Sequence, residues 1–525
     1  MKKRCKIMLS TAIVGFMGFN ASAHVFLEKI GTFDTTLGEG SAEITAYDGL
    51  TERLFVINSD FASFSIVDLS NPAQPRSVST IDLTAFGSGP TSIASKNGLV
   101  AVAIEADVTT DNGVVRFYST NGFFLNEVTV GALPDMVTFN QAGTQLLVAN
   151  EGEADGGINP RGSISVIDLT NGVAMPTVDT IDFTQFDPVV APVRGVGLPS
   201  EVIIFPGELP SEDLEPEYIA VSDDDTQAYV TLQENNAVAV IDLSVPQLLR
   251  VDALGFKDHS VVGNELDASD RDGVGGEGAI NISTWPVLGM YQPDAIASVS
   301  ANGQNYYLTA NEGDARDEDD RIGDLILDPS VFPNAATLQQ DDQLGRLEVS
   351  TILGDEGNDG DFDTLYAYGA RSFTIWNAQT GAQVFDSGSD IEMQTAMQVP
   401  ATFNSNGGTE DSFDSRSDAK GPEPEGITVG TIGENTYAFV GLERVGGVMI
   451  YDVTDPQTPD FTLYQPSTDG DAAPEGLLFI DAADSPNGQS LLLVSHEDTG
   501  TVAIYSVQQD VIFIDSFDDS SLPVQ

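Results

Sequence analysis

One unit recurs along this chain, and it constrains the fold more than any other feature. A proline or small residue with an acid opens the unit. An apolar strand, a turn, a second apolar strand, an acid and a third strand follow. The clearest copy is EPEYIAVSDDDTQAYVTLQENNAVAVIDL, from Glu215 to Leu243. Others begin at Pro134 (PDMVTFNQAGTQLLVANEGE, then GSISVIDL) and at Pro293 (PDAIASVSANGQNYYLTANEGDARD, then LGRLEVS). Two more begin at Pro424 and Pro474, and degenerate copies begin near Ala42 and at Pro90. Each contains short β-branched runs bounded by Gly, Asn and Asp, without helical periodicity of comparable length.

A strand trio of this kind cannot bury both faces alone, whereas units stacked radially can. The expected fold is therefore all-β, a β-propeller. Seven copies are clear, and an eighth, partial one runs from Leu365 to Gly388 (LYAYG, SFTIWN, QVFDSG) without the opening proline and acid. Sandwich repeats are longer, at about 100 residues, and β-helix rungs are shorter and more uniform. The segment His24 to Phe33 has no unit of its own and is placed to complete the last blade. Long insertions, 183–214, 254–292, 314–343 and 389–421, separate the runs and are expected to shape one face.

Both ends are read separately. Lys2, Lys3, Arg4 and Lys6 precede an apolar run from Ile7 to Phe19 and the small-residue site Ala21-Ser22-Ala23, the pattern of a signal peptide over residues 1–23. The expected organisation is then a propeller over 24–507 and a tail over 508–525, in a protein that is secreted or held at the cell surface. Cys5, the single cysteine, falls inside the signal, so the exported chain has no disulfide. No later stretch is apolar enough for a transmembrane helix.

Charge narrows the partners. The chain has 81 acidic residues against 21 basic ones, a formal net charge of −60. It should repel nucleic acid and attract cations. Salt adaptation explains acids spread over a surface, but it explains clusters less well. The phrase Asn-Glu-Gly-acid occurs twice at the same place in a unit, giving Glu151 with Glu153 and Glu312 with Asp314. Glu105, Glu234, Glu443 and Glu497 occupy the corresponding place in other units. In a propeller these carboxylates would ring one mouth of the channel, a like-charge array that calls for a cation or for protonation. Hydrogen bonds from each acid to a neighbouring turn are a compatible, purely structural role.

A second cluster joins Asp267, Asp270 and Asp272, and Glu425 follows the acidic run before its strand. A third, Asp355, Asp359, Asp361 and Asp363 with Gly360, places oxygens at positions 1, 5, 7 and 9 and glycine at 6, as in a calcium loop. Position 12 is Tyr366 rather than an acid. Oxygen-only ligands favour Ca2+ or another hard divalent cation, and neither His259 nor His496 has a zinc-ligand spacing. Among the scarce bases, Arg316, Arg416, Lys420 and Arg444 sit beside or near acids, and Arg371 lies in Gly-Ala-Arg-Ser. They either neutralise those acids or, with metal-bound carboxylates, receive an oxyanion. His259, Arg316 and Arg444 are the candidates for catalysis; no nucleophile motif accompanies them.

The phrases LLVANEGEADG, KDHS with NELDASDRDG, WPVLGMYQPDAIAS, LTANEGDARD, YGARSFTIW, FDSRSDAKGPEPEGITVG and GLERVGGVMIYDV resemble the choice-of-anchor I family between about residues 28 and 507. That family includes mesenchyme-specific cell-surface glycoproteins of biomineralising animals, and bacterial members named as atypical alkaline phosphatases. The resemblance implies a secreted or surface propeller linked to calcium or phosphate. It transfers no catalytic residue to this chain. Two functions follow: a monomeric calcium-binding propeller meeting extracellular matrix or surface components, or a metal-dependent extracellular phosphoesterase acting on phosphate esters.

Overall fold

The computed structural model describes residues 24–188, 197–316 and 318–510. The expected signal segment, and residues 511–525 of the expected tail, lie outside them. Second strands such as Leu99–Ile104 and Leu491–His496 are apolar almost throughout and almost wholly buried, because they are sandwiched between neighbouring sheets. Outer strands such as Arg76–Asp82 are largely polar and exposed. This gradient, from buried inner strands to a wet outer strand, orients each unit radially.

Among the described residues the strands form seven four-stranded sheets and one five-stranded sheet. The first strands of the four-stranded sheets are Thr45–Asp48, Pro90–Lys96, Pro134–Phe139, Ile219–Val221, Ile296–Ala301, Pro424–Ile432 and Pro474–Ile480. Each touches the next in this order, and the last touches the first. The sheets therefore stand around a central channel, and the chain is a β-propeller. A separate apolar cluster fills the space between each neighbouring pair of sheets.

The ring closes by pairing the ends. His24–Asp34 lies antiparallel to Thr501–Asp510, from His24 opposite Asp510 to Asp34 opposite Thr501. It is the outer strand of the last sheet. Phe33 is buried with Leu54 and Val56 of the first sheet and Leu491 and Val502 of the last.

One strand assignment changes. The third strand of the unit opening at Pro293 is Ser372–Asn377, paired with Gln304–Asn311, and Gln383–Asp386 completes that sheet. The partial eighth unit supplies these two strands instead of a blade. Glu348–Ser350, within the expected third strand LGRLEVS, joins Phe256–Asp258, Leu288–Met290, Tyr366–Ala367 and Asp319–Arg321 in the five-stranded sheet. The reason is local: the insertions own a core of Leu266, Trp285, Leu327, Leu344, Val349 and other residues. Burying Val349 there removes that strand from the ring. By antiparallel alternation, every long insertion leaves from the end where first strands begin and second strands finish, so one face carries them all. No helix among the described residues is long and apolar enough to cross a membrane.

Phe33→Ala should cost roughly 3–5 kcal/mol, as for other buried aromatics. Urea denaturation followed by circular dichroism should show an earlier midpoint for this variant, although Phe33 lies on an outer strand.

Candidate cation-binding mouth

The mouth begins with proline. Lacking an N–H, proline is suited to the first position of a strand, and four of the seven first strands open with it. Each of these four has a register irregularity just after the proline. In three of them an acid lies in that irregularity: Asp135 alone, and Glu425 and Glu475 each with the following glycine. A bulge re-aims its residue, here away from the ladder. The preceding residue is left-handed in Leu133, Glu423 and Ala473, with φ of +46°, +52° and +54°. The carbonyls of these residues accept the backbone N–H of Glu151, Glu443 and Glu497 at 2.9, 2.9 and 3.2 Å. The acid ending each second strand is thereby tied beside the acid opening the first.

Two triads of carboxylates result. Glu151, Glu217 and Glu234 offer oxygens all within 4.8 Å of one another, and so do Glu312, Glu423 and Glu443. Gln233 links the two, donating through Nε2 to Glu312 Oε2 at 3.0 Å. Their electrostatics differ. In the second triad, Arg416 Nε donates to Glu423 Oε1 at 2.7 Å, Lys420 pairs with Glu312 and Glu423, and Arg444 Nη1 lies 2.9 Å from Glu443. Burial opposes ionisation of Glu423, but Lys420, Arg416 and Arg444 together hold its carboxyl below the usual range.

The first triad has little such help. Arg316 Nη2 lies 3.8 Å from Glu234, and the same guanidinium binds Asp213 at 2.7 Å and, closer still, Glu215. Burial, then Asp135 and Glu234, push Glu151 well above the carboxylate range. Burial, then Glu234 and Glu151, do the same to Glu217. Oε2 of Glu217 and Oε2 of Glu234 are buried without a hydrogen-bond partner. Beside them opens a cleft of about 470 Å³ lined by Glu153, Asp213, Glu215, Glu234, Asp314 and Arg316 among others. Such a site is short of positive charge and rich in hard oxygen ligands, the donor set of calcium or magnesium.

A choice-of-anchor I domain matches residues 43–456. The chain belongs to the choice-of-anchor I family. It is similar to gigasin-3a of Magallana gigas, 38% identical over 192 residues, 33% of this chain and 67% of that protein. It is also similar to the mesenchyme-specific cell surface glycoprotein of Strongylocentrotus purpuratus, 27% identical over 281 residues, 46% of this chain and 35% of that protein. The chain thus spans two thirds of the first relative and about a third of the second. Among solved structures, hydrazine synthase of Kuenenia stuttgartiensis aligns with a TM-score of 0.44 and 12% identity over 91% of this chain and 97% of that one. The β-propeller domain of Cps50 (Swd1) of Myceliophteria thermophila aligns at 0.42 and 10% over 92% and 100%.

Within this choice-of-anchor I chain the structure gathers some of the sequence-derived candidates and disperses others. Glu151, Glu312, Asp314, Glu425, Arg316 and Arg444 meet at the mouth, and Glu153 lines the cleft. Burial, Glu234 and Glu312 raise Asp314 to about 6, Lys420 opposing them. Burial, then Glu443 and Glu312, hold Glu425 well above its usual value. Asp270 is spent on Arg346, at 2.8 and 3.2 Å. Asp267 is buried and accepts the Asn281 N–H at 2.5 Å, whereas Asp272 is half-buried and accepts the Ala279 N–H at 2.9 Å. In the loop from Asp355 the carboxylate of Asp355 accepts the N–H groups of Asp359 and Gly360, each at 3.1 Å. Asp361 and Asp363 join Asp328, from a different segment, within 4.8 Å. His259 is a core residue: it is 1% exposed, its Nδ1 lies 2.6 Å from the Asn264 carbonyl, and burial then Lys257 push it down to about 3. A ring so enclosed and so weakly basic is poorly suited to proton transfer, and it is not at the mouth.

Glu217, Asp135, Asp294, Glu475 and Glu423 had drawn no site assignment from sequence. Their signal was visible as the acid next to the proline of each unit, but it read as a marker of the repeat.

In chelator-containing buffer, stability should fall as pH rises. Burial, opposed by Ser59 and reinforced by Glu497, raises Glu43 to about 7; burial and Glu234 bring Asp135 to about 7. Unfolded, both release their protons near the ordinary carboxylate values of about 4. Between those values the unfolded chain binds fewer protons, so ionisation favours unfolding. Melting temperatures between about pH 4.5 and pH 7.5 should decline steadily, and added calcium should recover most of the loss at the upper end.

Proposed function

We propose that this protein is an extracellular propeller that binds divalent cations, calcium foremost, at the acidic mouth of its channel. The observation that carries the reading is the Glu151–Glu217–Glu234 triad, whose oxygens lie within 4.8 Å and whose only cationic neighbour among the described residues, Arg316, stands 3.8 Å from Glu234. Three ionised carboxylates at that spacing repel one another strongly in a partly dry site. A bound dication removes the repulsion and supplies ligands to the unpartnered oxygens. An extracellular or cell-surface setting agrees with the name of the Strongylocentrotus purpuratus relative, a cell surface glycoprotein, and with calcium's abundance outside cells, where even weak sites of about 10⁻⁴–10⁻³ M fill. In that setting the ion-loaded face, widened by the insertions, is suited to contact matrix or surface components.

The phosphoesterase alternative has less support. It asks Arg316, Arg444 or Lys420 to stabilise a phosphoryl group, but each is already paired with protein carboxylates. These cations hold the mouth together against its own charge.

Calcium titration by calorimetry at neutral pH tests the proposal. Glu217→Gln should weaken binding at least tenfold, about 1.4 kcal/mol, and reduce the calcium-induced rise in Tm. Glu443→Gln, in the triad already served by arginine and lysine, should have a much smaller effect on calcium affinity. Equal affinities for wild type and Glu217→Gln would remove the triad as the site. Calcium-dependent hydrolysis of a phosphomonoester that disappears in Glu217→Gln would transfer the same site to the enzyme reading.

A further inference from the structure

We infer that a calcium-sized cation is held inside the insertions, away from the channel mouth, by Asp267, Asp272 and Asp414. The three acids come from two segments far apart in sequence; Asp267 and Asp414 are buried and Asp272 is half-buried. Asp267 and Asp414 are each 0% exposed. None of the three is ion-paired with a described lysine, arginine or histidine. The nearby cation, Arg371, is committed elsewhere: Nη1 binds Glu392 at 2.7 Å and the Asp267 carbonyl at 2.6 Å, and Nη2 binds the carbonyls of Ser417 and Ala419 at 2.8 Å.

Unused oxygens mark the position. Oδ1 of Asp414 accepts from Ser417, whereas Oδ2 is buried and has no partner. That Oδ2 faces the loop carrying Asp272: a Cβ on Gly278 would lie 2.4 Å from it. Oδ1 of Asp272 accepts the Ala279 N–H at 2.9 Å, and its Oδ2 is likewise buried and unpartnered. Burial, then Asp267, raise Asp414 to about 8, and burial, then Glu392, raise Asp267 to about 8. In the adjoining segment Asn404 Oδ1 and Ser405 Oγ are also buried without partners, and the Phe403 carbonyl accepts the Asp414 N–H at 2.8 Å. The backbone is bent to present this arrangement, with φ of +66° at Asp414 and +40° at Asn404.

Unlike the mouth triads, the three carboxylates are not all within 4.8 Å, so a small ion with a tight shell fits poorly. Oxygens on one calcium, each at about 2.3–2.6 Å, stand at most about 5 Å apart, so binding would draw the three carboxylates together, and a shell of six to eight leaves places for neutral oxygens. Its structural effect would be to pin the 258–285 insertion to the 389–421 insertion.

The test uses the full chain stripped with EGTA, refilled with calcium and freed of excess ion by gel filtration, with bound calcium counted by elemental analysis. Wild type should carry one more calcium than Asp414→Asn and than Asp272→Asn. Glu217→Gln should lose a different ion, so Asp272→Asn combined with Glu217→Gln should lose two. Limited proteolysis gives a local readout: calcium should protect residues 266–281 and 403–421 in wild type and in Glu217→Gln, but not in Asp272→Asn. The more exposed Asp272 site keeps the test decisive should Asp414→Asn fail to fold. Equal calcium content in wild type and Asp272→Asn, or cleavage indifferent to calcium, would overturn the inference and leave the mouth proposal standing.

Discussion

The pairing of the two chain ends is the contact on which the rest of the structure depends. Seven sheets around a channel have no natural stopping edge until His24–Asp34 lies against Thr501–Asp510. Without that strand the last sheet is left with three strands and loses Phe33 from the cluster it shares with the first sheet. Closure fixes the radius of the ring, and the radius fixes how far apart the first strands stand. The acids at the mouth are therefore held at their mutual distances by a strand on the outside of the molecule.

Those distances are unfavourable in themselves. Burial, then neighbouring carboxylates with Glu234 common to both, push Glu151 and Glu217 well above the carboxylate range. The fold tolerates this because the apolar clusters between sheets supply most of the cohesion, leaving the mouth free to carry charge. Two solutions to the same repulsion stand side by side. Around Glu312, Glu423 and Glu443 the protein uses its own scarce cations. Around Glu151, Glu217 and Glu234 it uses only Arg316, 3.8 Å from Glu234, which is why a dication is proposed there.

The insertions repeat this logic at smaller scale. They form a separate sheet and core, and bury Asp267 and Asp414 beside the half-buried Asp272 without an ion pair to a described base. They also cover the mouth face alone, since every one of them departs from the same end of the sheets. Charge, insertions and unpartnered oxygens thus accumulate on one side of the propeller, and the other side keeps short turns.

Much of this was legible in the chain. Period, strand runs and the orphan N-terminal strand determine a propeller closed by its ends, because repeat units with apolar second strands bury both faces only when stacked in a ring. The Asn-Glu-Gly-acid phrases likewise place Glu151 and Glu312 at one level, because equivalent positions of a repeat occupy equivalent positions around an axis. What only the tertiary structure decided is which acids meet across units and segments: Glu217 with Glu151, Asp414 with Asp272, Asp328 with Asp361 and Asp363. It also decided which are already neutralised, as Asp270 is by Arg346, and that Ser372–Asn377 rather than Leu344–Ser350 continues the fifth sheet. The reason is physical: sequence spacing reports contacts within a strand or turn, whereas charge compensation and the capture of a strand depend on neighbours hundreds of residues away.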